Sequence, residues 1–314
     1  MTKDGLLVIN PRDNVGVTLT ARGEIPAGHK IALRDIDEGE AVIKYGAVIG
    51  RATKPIHAGE WVHTHNLRTH LDEAQTYPYE PKPMEQAPAQ HGTFQGFLRP
   101  DGRVGIRNEI YIIPTVGCVN GICKRLERVS QKLIRGSLDG IYALTHPWGC
   151  SQLGQDAANL RELLCSIARN PNAAFVLFVG LGCENNRLCD IREELSDRDN
   201  VAYLTCQEVE DELTEGYRTL CDFADRAAEM SRETVGLEQL CIGLKCGGSD
   251  GFSGLTANPL VGQMSDRLVA CGGRAVLTEV PEMFGAEQRL MNRCRDRETY
   301  ARYCRLITDF RDYY

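Results

Sequence analysis

The chain has 314 residues, 42% hydrophobic and 25% charged, enough for two domains of ordinary size and a sizeable core without covalent staples. A net charge of −7 excludes an unaided nucleic-acid binder, which needs a basic face, and no apolar run approaches the roughly 20 residues that span a bilayer. The 13 cysteines are odd in number and the start, Met1-Thr2-Lys3-Asp4-Gly5, lacks a signal peptide's apolar core, so the thiols read as reduced and the chain as cytoplasmic.

Residues 1–72 carry short β-prone runs: Leu6–Ile9, Val15–Thr18, Lys30–Leu33, Ala41–Lys44, Ala47–Ile49 and Trp61–His63. Turns at Ala27-Gly28, Glu38-Gly39 and Ala58-Gly59 separate them, the pattern of a small all-β module. Within it His63 and His65 fall on one face of a strand, with His70 shortly after and His29 in another turn. That spacing makes a metal site geometrically possible, but two histidines alone favour the plainer reading, a polar strand end at a surface or domain interface. Residues 73–93, with Pro78, Pro81, Pro83 and Pro88, read as a linker, because proline at this density disfavours both helix and central strand.

From residue 94 to 314 strands and helices alternate, which predicts a doubly wound parallel-sheet α/β domain. The strands run into glycine and cysteine at Gly117-Cys118, Gly149-Cys150, Gly182-Cys183 and, one residue later, Cys246-Gly247, at intervals of 32, 33 and 63 residues. One βαβ step takes about 30 residues or more, so the cysteines are expected at equivalent carboxyl ends of one sheet, where open α/β sheets bind ligands. Neither a G-x-G-x-x-G fingerprint nor a Walker A loop occurs, so neither NAD nor ATP is implied.

Cys118, Cys150, Cys183 and Cys246 meeting at one edge would suit zinc or an iron-sulfur cluster, three of them leaving one iron open to substrate. Against this, no C-x-x-C pair preorganises them, and buried thiols are commonly inert. Arg107, Asn108, Asn120, Ser151, Gln152, Glu184, Asn185, Asn186, Ser249 and Asp250 lie beside predicted strand ends and form a candidate set for a polyhydroxy carboxylate, which wants many hydrogen bonds and a cation. The loop Cys246–Gly254 offers backbone amides to an anion. His146, poised near neutrality, with Glu279 and Asp250, makes a candidate proton-transfer site.

Five motifs then carry a resemblance: Gly117-Cys-Val-Asn-Gly121, Gly149-Cys-Ser-Gln-Leu-Gly154, Gly180-Leu-Gly-Cys-Glu-Asn-Asn186, Cys246-Gly-Gly-Ser-Asp-Gly251 and Thr278-Glu-Val-Pro-Glu-Met-Phe-Gly-Ala-Glu287. In this order they resemble the altronate and galactarate dehydratase family, and the module holding Gly28-His29-Lys30 and His63-Thr64-His65-Asn66 is similar to that family's small β-clip, antifreeze-like domain. The resemblance implies a lyase that dehydrates D-altronate to 2-keto-3-deoxy-D-gluconate with a divalent metal, usually iron, with manganese or an iron-sulfur cluster as alternatives. Galactarate dehydration and a sulfolactate-type elimination are the rival activities. Family members continue past this point, so the chain also reads as a truncated, catalytically incomplete substrate- or metal-binding fragment. A small sugar acid is the expected partner and a homodimer the expected assembly.

Overall fold

The computed structural model describes residues 2–3, 5–69, 77–82, 90–248 and 252–313. Of the residues singled out above, His70, Pro83, Pro88, Ser249 and Asp250 lie outside the described residues. The chain divides into two units, one of Met1–Gln90 with Cys241–Tyr314, the other of His91–Leu240.

The N-terminal part of the first unit is all-β, as expected. Its strands are β1 (Thr2–Lys3), β2 (Leu6–Leu7), β3 (Val15–Thr18), β4 (Lys30–Ala32), β5 (Ala41–Lys44), β6 (Ala47–Ala52), β7 (Trp61–Val62) and β8 (Leu67–Arg68). They pair antiparallel in two sheets, β1-β2-β3-β4-β7 and β5-β6-β8, over a core of Val15, Ala32, Ile36, Val42, Ala52, Ile56 and Val62. An internal repeat organises it. Ile36 and Ile56 exchange both backbone hydrogen bonds at 2.9 Å, while the Gly39 and Gly59 amides donate to Ala52 and Ala32 at 2.8 Å. The two glycines sit at φ +79° and +88°, so each turn needs a residue without a Cβ. Buried Asn14 and Asn66 play matching parts, their Oδ1 atoms accepting from the Ile43 and His63 amides at 2.7 and 2.9 Å.

The second unit holds β9 (Thr93–Leu98), β10 (Val104–Gly105), β11 (Glu109–Pro114), α1 (Asn120–Ser130), β12 (Gly140–Ala143), α2 (Gly154–Ala168), β13 (Ala173–Gly180), α3 (Leu188–Glu194), β14 (Val201–Thr205), α4 (Glu212–Ala228) and β15 (Glu233–Gly236). Its main sheet is wholly parallel with order β12-β11-β13-β14. All eight residues of β13 are buried, as its unbroken apolar run Ala173–Gly180 demands of a strand covered on both faces. On one face Cys123 and Leu126 of α1 pack with Leu220, Phe223, Ala224 and Ala227 of α4. On the other lie Leu160, Leu164 and Ala168 of α2 and Ile191 of α3. The sheet is doubly wound.

The C-terminal part of the first unit contains β16 (Cys241–Leu244), α5 (Ala257–Ala270), β17 (Arg274–Leu277), α6 (Glu287–Met291) and α7 (Arg297–Tyr313). Here the expectation of one sheet carrying all four Gly-Cys stretches is corrected. Strands β16 and β17 pair parallel in a two-stranded sheet of their own. The reason is β15, which pairs antiparallel with β9 (Glu233↔Gly96 through Gly236↔Thr93) and so takes the chain out of the parallel sheet before Cys241. Its sequence signal is only Thr234-Val235, too short to be read as a strand. Among the described residues no helix is long and apolar enough to cross a membrane.

Candidate active site

In the second unit the sheet order places the first strand, β11, between the second, β12, and the third, β13. The chain therefore leaves β11 towards one side and returns on the other, and the carboxyl ends of β11 and β13 flank a topological switch point, the crevice where such sheets hold ligands. Thr115, Gly117 and Cys118 follow β11, while Leu181 to Asn186 follow β13.

A buried carboxylate joins the two ends. Thr115 Oγ1 donates to Glu184 Oε1 at 2.5 Å, the Leu181 amide donates to the same oxygen at 3.1 Å and the Gly182 amide to Oε2 at 2.7 Å. Burial alone would raise this carboxyl, but the hydrogen bonds from Thr115 and the loop amides outweigh it and hold Glu184 below the usual glutamate range. Glu184 stays ionised and shapes the loop. Gly180 makes room for it, since a Cβ there would lie 2.6 Å from Glu184 Oε1.

The segment after β12 crosses the end of β11 to reach the switch point. Gly117 donates its amide to the Trp148 carbonyl at 2.7 Å, and Asn120 Nδ2 donates to the His146 carbonyl at 2.8 Å. From the other side the Asn185 amide donates to the Cys150 carbonyl at 3.1 Å and its Nδ2 to the Gln152 carbonyl at 2.8 Å. His146 is buried beneath this crossing, with Nε2 2.9 Å from the Pro114 carbonyl. That carbonyl can only accept, so Nε2 carries the proton, and Nδ1 is the acceptor 3.3 Å from the Trp148 amide. Burial lowers the imidazole's pKa and keeps it neutral.

Three amide oxygens around this site, Asn120 Oδ1, Gln152 Oε1 and Asn186 Oδ1, are buried with no hydrogen-bond donor among the described residues. Gln152 also lines a cleft of about 340 Å³ with Trp148, Asp156, Asn159, Leu160 and Leu163. Acceptors left without donors are costly, and three at one edge ask for a ligand rich in O–H groups.

The candidate residues fall into three places. Asn120, His146, Cys150, Ser151, Gln152 and Asn185 come together at this edge, with exposed Cys118 and Cys183 on its rim. Arg107 and Asn108 do not. They precede β11 and so lie at the opposite, amino edge, a strand length of about 20 Å away. Asn108 is fully buried and spends its side chain on Arg99, Ser137 and Ala227, and Arg107 pairs with Glu109 at 2.9 Å, so both secure the fold. Glu279 and Cys246 belong to the first unit, where the Cys246 amide donates to Glu279 Oε2 at 2.7 Å and Lys245 Nζ lies 3.2 Å from Oε1. The Cys246 amide, then Lys245, hold that carboxyl below its usual range. Glu279 thus clamps the ends of β16 and β17 together.

His63 and His65 lie in the first unit beside Trp61, their rings 5.3 and 5.9 Å from it, and His29 stacks on His63 at 5.5 Å. Among the described residues no three histidine, cysteine, aspartate or glutamate side chains converge to hold a metal ion. No ligand set among the described residues is therefore assigned to the expected metal or cluster. Glu184 and Asn186, read from the sequence only as polar neighbours of a strand end, prove to be part of this site, and Thr115 escaped sequence reading altogether. A polar Thr115 directly continuing a buried strand, and a glutamate at the second position after Gly182, were the available signals.

Three family models cover the chain: the altronate/galactarate dehydratase SAF domain over residues 9–70, the D-galactarate dehydratase/altronate hydrolase second domain over 96–228, and the D-galactarate/altronate dehydratase C-terminal domain over 237–314. An altronate dehydratase of Bacillus subtilis (strain 168) is 46% identical over 95% of this chain and 61% of its own length, and one of Escherichia coli (strain K12) is likewise 46% identical over 95% and 61%. A galactarate dehydratase (L-threo-forming) of Escherichia coli (strain K12) is 33% identical over 87% of this chain and 56% of its own length. The chain thus spans about three fifths of the relatives it matches and belongs to the D-galactarate dehydratase/altronate hydrolase family.

Proposed function

We propose that this chain carries the hydroxyl-binding edge of a sugar-acid dehydratase acting on D-altronate, giving 2-keto-3-deoxy-D-gluconate. The carrying observation is the trio of amide oxygens without a donor among the described residues, Asn120 Oδ1, Gln152 Oε1 and Asn186 Oδ1, at the switch point. A polyhydroxy acid supplies O–H donors to such acceptors, and a site built to bind hydroxyls rejects analogues that lack them. The 46% identity to two altronate dehydratases supports altronate over galactarate, whose dehydratase is 33% identical.

The reaction removes the proton on C2, expels the C3 hydroxyl as water and lets the resulting enol become the 2-keto acid. His146 is the group we assign to take the C2 proton. It is neutral, Nε2–H is fixed on Pro114, and Nδ1 keeps a lone pair whose one donor among the described residues, the Trp148 amide, is long at 3.3 Å. Glu184 does not compete for the proton, because its three donors favour the ionised form. An iron(II) requirement, a cytoplasmic location and a symmetric dimer belong to the same proposal, with no ligand set assigned to the metal.

Incubating the purified chain with D-altronate, with and without added iron(II), and following 2-keto acid formation tests the reading. Turnover, or saturable altronate binding lost in Asn120→Ala and Gln152→Ala, is the expected result. Absence of both turnover and binding would sink it.

A further inference from the structure

The imidazole cluster of the first unit presents a hydrogen-bond donor where a metal site would present a lone pair. Trp61 Nε1–H donates to His29 Nδ1 at 3.3 Å. An indole nitrogen is a donor only, so Nδ1 must present its lone pair, and the neutral His29 ring carries its proton on Nε2. The free side of His29 therefore offers an N–H, which suits an anion and not a cation. His63 stacks on it at 5.5 Å, with its own Nδ1 3.0 Å from Thr64 Oγ1.

Two half-buried lysines stand in the same field. Lys30 pairs across the strands with Val62, next to His63, and burial lowers the pKa of both lysines, that of Lys44 further through the charge of Lys30. Among the described residues neither makes an ion pair, although lysines deprived of water normally recruit a carboxylate. Burial, then the charge of Lys30, lowers the pKa of His63. Lys44 lies 4.6 Å over the ring of Tyr45, a residue in the left-handed region at φ +57°. The segment after the Cys246 loop reaches this face, since a Cβ on Gly28 would meet Phe252 at 3.8 Å and one on Gly254 would meet Tyr45 at 3.9 Å.

We infer that His29, Lys30, Lys44 and His63 form a binding site for a small oxyanion, the carboxylate of a hydroxy acid. The existence of the site stands on two cations without an ion pair among the described residues and on the His29 tautomer; the choice of a hydroxy-acid carboxylate rests on the function proposed above. Carboxylate oxygens accept from the His29 Nε2–H and from both ammonium groups, which removes the cost of leaving those charges unpaired.

Proton–carbon NMR of the histidine rings tests this on the whole chain, with D-altronate, inorganic sulfate, an uncharged hexitol and Mn²⁺ as separate probes. Altronate should shift the His29 and His63 signals saturably and the hexitol should not. Lys30→Met and Lys44→Met should each weaken altronate by about tenfold or more, with Lys→Arg retaining binding and the thermal midpoint unchanged. Sulfate as effective as altronate would establish the anion site and overturn the carboxylate assignment. Mn²⁺ broadening both rings at micromolar concentration, with no response to either anion, would overturn the site itself. Turnover of altronate with unmoved imidazole signals would also overturn it while leaving the dehydratase reading intact; imidazole shifts with no turnover and with binding untouched by Asn120→Ala and Gln152→Ala would do the reverse.

Discussion

Glu184 shows how one buried charge sets the shape of the candidate site. It takes hydrogen bonds from Thr115, Leu181 and Gly182 and so ties the loop after β13 to the end of β11. Glu184→Gln keeps the volume but aims an amide N–H at donors, and should cost roughly 2–4 kcal/mol in chemical denaturation. Full stability in that variant would show that the loop holds without the charge. The pH dependence follows in sign. A depressed folded pKa means the unfolded chain binds the proton first, so the stability from Glu184 is fully present above the ordinary glutamate value of 4.5 and is lost as pH falls through the lower folded value. His146 is also depressed, from 6.5, by burial, so it too favours the folded state above 6.5 and loses that contribution on acidification. As the proton acceptor it should place the acidic limb of kcat/KM below 6.5, and His146→Gln should abolish that limb together with most of the rate. A limb at or above 6.5 would assign the base elsewhere.

At the scale of elements, the parallel sheet separates roles by its two edges. Residues before β11 lock the fold, and residues after β11, β12 and β13 face the switch point. Asn108→Ala should therefore cost about 2–4 kcal/mol of stability, because it strands the Arg99 guanidinium and the Ala227 carbonyl, while leaving KM for altronate near its original value. Asn120→Ala should do the opposite, raising KM at small cost in stability. A KM effect from Asn108 equal to that of Asn120 would contradict the division. Much of this was legible in the sequence. The strands Val15–Thr18 and Ala41–Lys44 were read at their observed bounds, because short apolar runs between glycine turns mark them. Which end of a strand a polar residue flanks was legible too, since Arg107-Asn108 precede the apolar run. What periodicity cannot give is sheet order, and only the order β12-β11-β13-β14 shows that Glu184 meets Thr115.

At the scale of the whole molecule, the two units differ in how completely their parallel strands are covered. Strand β13 is buried along all eight residues, between helices on both faces. Strands β16 and β17 form only a two-stranded parallel sheet, with Val276 and Leu277 each 51% exposed and Leu260 and Met264 of α5 at 69% and 54%. Parallel strands normally have both faces covered, and a two-stranded sheet alone is marginal in water. The spread of local stability should follow. Amides of β13 should exchange with solvent only through global unfolding, whereas those of β16 and β17 should open locally, about 100-fold faster or more, a gap of roughly 3 kcal/mol. Hydrogen-exchange mass spectrometry of the purified chain compares the peptides directly. Equal protection of the two sheets would mean that the exposed apolar face is covered in solution, by another copy or by a further segment, and a repeat at tenfold dilution separates these, since only a second copy is lost on dilution.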